Sequence, residues 1–483
     1  MAQTHIRRSR TALTRTSLSR PVALAINDGV IDTDKRVLDY GCGKGDDVRL
    51  LAQRGITADG WDPAFAPAGS RTPAAVVNLG YVVNVIEDGA ERAACLKTAW
   101  SLTTEVLVVA ARLVGEVEVE GFAPFRDGSL TRRGTFQRFY EQEELRSWIE
   151  AIVGESPVAA APGIFYAFRS AEAREAFVSS RYRRRVSAPR VRSSDRLYEE
   201  CGEILAPLEA FVLARGRLPS PDELEISNEI GTRFGSIARA FRVVRQVTGD
   251  DAWAPIMESR REDLLVYAAL SRFGGRPRWS DLPRTTQNDV RALFSTYRRL
   301  CDAGDELLFA AGRRDVLDGA MRSAPAGKLT PSALYVHRTA LDALPPVLRA
   351  YEGCARTLSG EIPEANILKL SRADSKVSYL SYPTFDREAH PALHRSVVVY
   401  PGALRIHYRD YGSMANPPIL HRKEEFVEGA YPGRDKFARL TAQEERAGLF
   451  DNTDRIGSRD GWHDVMCDRG VEVRGHRLVR TAS

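Results

Sequence analysis

The chain has 483 residues, 43% of them hydrophobic, and a net charge of +5, which suits a globular protein of about two to four domains, each with its own core. No apolar run approaches the ~20 residues of a membrane span, and the first ten residues, rich in arginine, lack the apolar centre of a secretory signal, so a cytoplasmic protein with no membrane partner is expected. Six cysteines, at 42, 95, 201, 301, 354 and 467, stand far apart and form no CxxC pair, which supports neither a zinc ribbon nor an iron–sulfur site and leaves no metal to expect.

Residues 1–170 alternate as a Rossmann-like doubly wound α/β sheet requires, with strands expected near 36–40, 57–61, 75–79, 105–111 and 163–168 and helices between them. The segment Val37-Leu-Asp-Tyr-Gly-Cys-Gly-Lys-Gly-Asp-Asp47 reads as a strand, a glycine-rich turn and a helix start. Gly41, Gly43 and Gly45 let the backbone approach a ligand that faces a helix N-terminus. Asp62, seventeen residues past Gly45 and at the end of the next strand, is placed to accept hydrogen bonds from ribose hydroxyls.

The GxGxG form led by Asp39 favours S-adenosylmethionine over NAD, whose fingerprint is GxGxxG. Asp39 would meet the methionine ammonium, whereas Asp46 and Asp47 would repel a pyrophosphate. The expected cofactor-binding residues are Asp39, Tyr40, Gly41, Cys42, Gly43, Gly45, Trp61, Asp62, Asn78 and Leu79. The competing structural reading is a turn where a strand and a helix merely pack closely. Only about a dozen residues separate Asp62 from the strand at Ala75, too few for a full helix and strand, so one strand of the usual pattern is absent or very short. The acid that often holds the adenine amino group has no counterpart, leaving backbone or Asn78 for adenine.

Ligands of such sheets bind beyond the carboxyl ends of the strands, so the catalytic candidates are Asn78, Tyr81, Asn84 and Glu87. In one register Asn78-Leu-Gly-Tyr81 corresponds to the Asn-Pro-Pro-Tyr of amino-group DNA methyltransferases, without the prolines that aim its carbonyl. In the other, Asn84-Val-Ile-Glu87 is the strand-exit segment of small-molecule methyltransferases. Methyl transfer is an in-line displacement in which positioning supplies most of the acceleration, so no dedicated base is required.

The flanks Thr11-Ala-Leu-Thr-Arg-Thr-Ser-Leu-Ser-Arg-Pro21, Gly60-Trp-Asp-Pro63 and Asn78-Leu-Gly-Tyr-Val-Val-Asn-Val-Ile-Glu-Asp88, with Ile419–Phe426 and Leu440–Leu449 near the far end, resemble the DNA phosphorothioation-associated methyltransferase family. The resemblance implies a class I S-adenosylmethionine-dependent methyltransferase, found with DNA sulfur-modification genes, whose own substrate is unassigned. It also makes Cys42 a small turn residue. The nucleic-acid acceptor, DNA before RNA, and partner proteins of a DNA-modification system follow from that resemblance.

Residues 171–194 read as an arginine-rich linker. Its cluster, Arg181, Arg183, Arg184, Arg185, Arg190 and Arg192, is either a nucleic-acid-binding surface or a solvated face, since only eight of the 69 basic residues are lysine and arginine is high throughout. Residues 195–324 carry apolar residues at helical spacing, as in Leu197, Cys201, Ile204, Leu205 and Leu208, and again in Val290, Leu293, Phe294 and Tyr297. Gly216–Leu224 with Phe234–Phe241 resembles small helical repeats that accompany homing endonucleases and contact DNA, or is an ordinary helical hairpin. Residues 325–483 read as α+β, with strands at 377–382, 396–400 and 404–408. Asp374, Lys376, Asp386, His390 and His394 in that region fit no metal motif and suggest a structural or substrate-gripping role.

The expected whole is a methyltransferase with an N-terminal catalytic domain and a long recognition part acting on nucleic acid. The alternatives are a small-molecule or tRNA methyltransferase, and a non-catalytic S-adenosylmethionine-binding scaffold for nucleic acid.

Overall fold

The structure is a computed structural model that describes residues 6, 8–116, 121–184, 186–191 and 196–481. Two compact units emerge, one from Met1–Ser170, Met321–Ala343 and Glu352–Ser483, the other from Ala171–Ala320 and Leu344–Tyr351.

The first unit begins with helix α1 (Arg20–Asn27), strand β1 (Val37–Tyr40), helix α2 (Asp46–Ala52) and strands β2 (Ala58–Trp61) and β3 (Ala74–Gly80). Helix α3 (Gly89–Leu102) and strand β4 (Thr103–Ala110) follow, then a small sheet of β5 (Ala123–Phe125), β6 (Gly128–Leu130) and β7 (Phe136–Gln137). Helix α4 (Gln142–Val153) leads to β8 (Val158–Ala161) and β9 (Ile164–Phe168). The main sheet has the order β2-β1-β3-β4-β9-β8, parallel from β2 to β4, with β9 antiparallel to both neighbours. The short stretch after Asp62 holds neither helix nor strand, so one strand is missing and β2 is left as the sheet edge. The chain then crosses to the other side of β1, which puts a topological switch point at the carboxyl ends of β1 and β3. Leu38, Val77, Leu79, Leu107 and Val109 are fully buried in the core, the near-continuous apolar pattern of strands covered on both faces. Asp88 caps α3 by accepting from the Glu91 amide at 2.9 Å. On α2, Leu51 is buried and Ala52 is exposed.

The second unit is helical: α5 (Ala171–Ser180), α6 (Arg196–Glu200), α7 (Gly202–Arg215), α8 (Ser227–Phe234), α9 (Ile237–Thr248), α10 (Ala254–Ser271), α11 (Arg284–Phe294) and α12 (Tyr297–Ala311), with α13 (Arg314–Arg322) and α14 (Pro346–Ser359) divided between it and the first. Helix α5 stands where a linker was expected. Its Ala-Glu-Ala-Arg-Glu-Ala run favours helix, and buried Glu175 accepts from the Tyr267 hydroxyl at 2.6 Å.

Within this unit α8–α9 and α11–α12 are two copies of one hairpin, offset by sixty residues. Ile230 and Phe234 correspond to Val290 and Phe294, all buried. The turn residues Gly235 and Ser295 have φ of 78° and 66°. The caps Ser236 and Thr296 each accept, at 3.2 Å, from the amide three residues on, and each hairpin follows a short 3-10 turn, Pro221–Glu223 or Trp279–Asp281.

The chain then returns to the first unit with the antiparallel sheet β10 (Lys328–Leu329), β11 (Ala333–His337), β12 (Ile367–Ser371), β13 (Val377–Ser381), β14 (Arg395–Tyr400) and β15 (Arg405–Asp410), in sequential order. Helices α15 (Arg434–Arg446) and α16 (Arg459–Asp468) precede a hairpin of β16 (Val471–Arg474) and β17 (Arg477–Arg480). This α+β part, expected as a region of its own, packs onto the first sheet. Buried Gln142 donates to Leu358 O and accepts from the Gly163 amide, both at 2.9 Å, and the Glu361 amide donates to Ala160 O at 2.7 Å. Gly360 is required there, because a Cβ would collide with the Ala160–Ala161 backbone.

Candidate cofactor site

A cavity of about 420 Å3 opens at the switch point. Its floor is the turn after β1, where Gly41, Gly43 and Gly45 have φ of 93°, 53° and 76°, a left-handed run that side chains resist. At Gly41 a Cβ would also run into the Val82 side chain. Gly45 caps α2, so the helix N-terminus faces the turn.

Asp62, at the end of β2, accepts from the Gly43 amide at 3.1 Å with one oxygen and from the Ala64 and Phe65 amides at 2.8 and 3.0 Å with the other. Three backbone donors therefore fix one carboxylate on the rim. Asp39 lies deeper, only 5% exposed, and accepts from Asn78 Nδ2 at 2.8 Å. Burial, reinforced by the neighbouring Asp47 charge, pushes its pKa up to about 7. Two more polar atoms of the lining, Asn78 Oδ1 and Ser19 Oγ, are buried without a hydrogen-bond partner. A buried carboxyl and two unsatisfied oxygens in one cavity are costly unless a polar ligand completes them.

The N-terminal arm covers this cavity, and sequence reasoning assigned no site residue to it. Arg8, Thr11, Leu13, Arg15 and Ser19 all line it. The arm is held by the Arg15 amide to Asp46 and the Ser19 amide to Asp47, both at 2.7 Å, by Lys44 Nζ to Thr14 Oγ1 at 2.8 Å, and by Arg8 to Glu87 and Glu91 at 2.7 and 2.6 Å. The available signal was Asp46 and Asp47 directly after the glycines, which serve here as anchors for that arm.

Of the predicted residues, Asp39, Tyr40, Gly41, Cys42, Gly43, Trp61, Asp62, Asn78 and Tyr81 line the cavity; Gly45, Leu79, Asn84 and Glu87 do not. Leu79 points into the core. Asn84 is buried and donates to Gln137 Oε1 at 2.9 Å, and Glu87 is paired with Arg8. The catalytic candidates are therefore not assembled as one set. Asn78 sits inside β3, opposite Asp39 of β1, with its amide nitrogen already engaged. Tyr81 is the first residue beyond β3, with φ of 61° and the Arg112 guanidinium 5.7 Å from its ring centre. The Cys42 thiol, raised to about 12 by burial and then by Asp39 and Asp62, stays protonated.

The basic cluster divides. Arg184 is committed to the interior of the second unit, its amide and Nε donating to Asp263 at 3.0 and 2.6 Å, which corrects its expected role as a nucleic-acid contact. Arg181 stacks on Phe177, 4.5 Å from the ring centre, and Arg183 and Arg190 are exposed. Arg185 and Arg192 lie outside the described residues. Near the far end, Asp374 pairs with Lys376 at 2.7 Å, Asp386 accepts from Tyr431 at 2.8 Å and His390 meets Glu444 at 2.8 Å. Among the described residues no group of three or more His, Cys, Asp or Glu side chains is placed to hold a metal ion.

No protein-family profile and no curated protein matches the chain. Among solved structures it is similar to magnesium protoporphyrin IX methyltransferase from Synechocystis PCC 6803 with bound SAH, at 18% identity over 34% of this chain and 93% of that one, with a TM-score of 0.24. It is similar to an amino pentose methyltransferase of calicheamicin biosynthesis from Micromonospora echinaspora with bound SAM, at 17% identity over 34% of this chain and 94% of that one, TM-score 0.24. A sugar N-methyltransferase from Streptoalloteichus sp. ATCC 53650 is similar at 15% identity over 34% of this chain and 86% of that one, TM-score 0.24.

Proposed function

We propose that the chain is an S-adenosylmethionine-dependent methyltransferase whose acceptor is a nucleic acid. The observation that carries the cofactor half is the incomplete polar cradle of Asp39, Asn78 Oδ1 and Ser19 Oγ beside the glycine turn. An amino-acid head group would complete it: Asp39 and Asn78 Oδ1 would hold its ammonium, Ser19 Oγ its carboxylate, and Asp62 would accept from the ribose hydroxyls. The cofactor would supply an activated methyl on a sulfonium, and the chain's own part is to hold donor and acceptor in line and keep water out. Isothermal titration of the full chain with S-adenosylmethionine is expected to show binding that NAD does not reproduce. Asp62→Ala is expected to weaken it by about 1–3 kcal/mol. No heat and no thermal shift with either S-adenosylmethionine or its demethylated product would refute the assignment.

Because Asn78 Nδ2 holds Asp39, Asn78→Ala is expected to lower cofactor affinity together with turnover. An amine-gripping role would instead abolish turnover at unchanged affinity. Both quantities measured on this one variant decide between the two.

The nucleic-acid half is supported by the duplicated hairpins and the exposed arginines on their second helices. Arg239 and Arg242 on α9 carry no acidic partner among the described residues, whereas Arg245 is paired with Asp250 at 2.8 Å. Replacing Arg239 and Arg242 by Gln is expected to flatten the dependence of log K on log salt by about 2, roughly one for each phosphate that is no longer neutralised. Fluorescence anisotropy of labelled oligonucleotides reads that slope, and an unchanged slope removes α9 from the interface. The resemblance to phosphorothioation-associated methyltransferases makes DNA the first acceptor to test, by nucleoside mass spectrometry of DNA and RNA from cells with and without the gene.

A further inference from the structure

Between α15 and the β16–β17 hairpin runs an open groove of about 1030 Å3. Its lining includes Lys436, Arg439, Arg446, Arg474, Arg477 and Arg480, and among the described residues no carboxylate lines it. That imbalance stands out in a chain with nearly equal numbers of basic and acidic residues, 69 and 64, many of whose arginines are bound to an acid. Here only Arg474 is so bound among the described residues, to Glu472 at 2.8 Å. Arg446 donates to Ala442 O at 2.9 Å, and Lys436 donates to the Asp386 carbonyl at 3.3 Å. Arg439, Arg477 and Arg480 are exposed, without an ion-pair partner among the described residues.

The cations come from two rigid elements. Positions 436, 439 and 446 share one face of α15, which the spacing of 3.6 residues per turn aligns over about 15 Å. Arg474 and Arg477 face each other across the hairpin, with Arg480 at its far end opposite Val471. The Leu478 amide donates to Gln443 Oε1 at 2.8 Å and fixes hairpin to helix. Like charges gathered around one groove repel one another, and a ligand with several regularly spaced negative charges relieves that repulsion. The lining carries no Phe, Tyr or Trp, and the ring of its His476 packs against Phe437, so the large aromatic platforms of single-strand binders are absent. Phosphates remain, contacted without reading sequence.

We propose that this groove binds the phosphodiester backbone of a nucleic acid, an anchoring contact separate from the cofactor cavity and from the arginines of α9. The proposal deepens the reading of a nucleic-acid acceptor and rests on it.

The test uses the full chain and its Arg439→Gln, Arg477→Gln, Arg480→Gln triple variant, whose side chains are exposed, so the fold should survive. Anisotropy is measured with mixed-sequence oligonucleotides of about 20 nucleotides, single-stranded and duplex, from about 50 to 300 mM salt, and the triple variant is expected to bind at least about tenfold more weakly with a slope smaller by about 2–3. Its cofactor titration is expected to match the unaltered chain. An unchanged slope overturns the groove and leaves the acceptor reading standing. A reduced slope without methyl incorporation into any nucleic acid supports the groove and overturns the acceptor reading. No oligonucleotide binding at the lowest salt overturns both. A triple variant that loses only binding to polyglutamate or to phosphatidylserine vesicles assigns the groove to an acidic protein or a membrane surface and overturns the proposal.

Discussion

Asp39→Asn is expected to weaken S-adenosylmethionine binding by about 2–3 kcal/mol, roughly 30- to 100-fold, because it removes the buried carboxylate charge beside Asn78 that the ligand's ammonium would meet. The loss has a pH signature. Without ligand, Asp39 keeps its proton up to about pH 7, and the ammonium pairs with the ionised form alone. Below that pH, binding must expel the proton, so affinity is expected to rise up to tenfold per pH unit between about 5 and 7 and level off above. The Asn variant should show no such rise. Stability runs in the opposite sense. The folded pKa lies above the ordinary aspartate value near 3.9, so the unfolded chain releases this proton first, and the ligand-free protein loses stability as pH climbs from about 4 to 7. Asp39→Asn is free of that cost. It is therefore expected to melt no lower than the unaltered chain at about pH 8 while binding far less cofactor. Calorimetry across a pH series, with thermal melts of the ligand-free forms, separates the two effects. A Kd of the unaltered chain that is flat between pH 5 and 8 would show that Asp39 does not face the ammonium.

The glycine turn and the carboxylates flanking it were legible because each is dictated by local chemistry: a backbone that must turn with positive φ, a helix start and a strand end. The short gap after Asp62 was legible for a similar reason, since a dozen residues cannot hold a helix and a strand; the sheet order shows the strand to be missing. The arm was not legible. Arg15 and Ser19 meet Asp46 and Asp47 through backbone amides, so the acidic pair is visible in the sequence but the residues that donate to it are not. Asn84 and Glu87 stand outside the cavity lining because strand-exit spacing says nothing about direction, and Gln137 and Arg8 engage them from distant segments. The basic groove escaped for another reason. Its cations are scattered from 436 to 480 with acids interspersed, so no window of sequence is strongly basic, and only the packing of α15 on β17 gathers the charges around one groove.

Asp263→Ala is expected to destabilise the helical unit by about 3–5 kcal/mol, the largest stability effect foreseen for an exchange outside the cofactor cavity. Asp263 is 3% exposed and accepts from the Arg184 amide and Nε at 3.0 and 2.6 Å, from Arg260 at 3.0 Å and from Arg349 at 2.9 Å. One carboxylate thus balances three guanidiniums drawn from α10, from α14 and from the segment after α5. Arg184 keeps Glu262 at 2.8 Å, and Arg260 keeps the Leu213 and Arg184 carbonyls, but among the described residues Arg260 has no second acid in place of Asp263. Removing the hub leaves positive charge in a place water does not reach, against a total stability of about 5–15 kcal/mol for a domain. Asp263→Asn, which keeps an acceptor and the volume, should cost less. Urea unfolding followed by circular dichroism and by fluorescence of buried Trp253 would measure both, and an Ala variant within about 1 kcal/mol of the unaltered chain would mean that the guanidiniums find water instead. The same hub bears on how the basic segment is tested. Arg184→Ala would also disturb Asp263, so weakened oligonucleotide binding by that variant would report a loosened helical unit. Arg239, Arg242 and the three groove arginines are the substitutions through which phosphate contact can be read without that confusion.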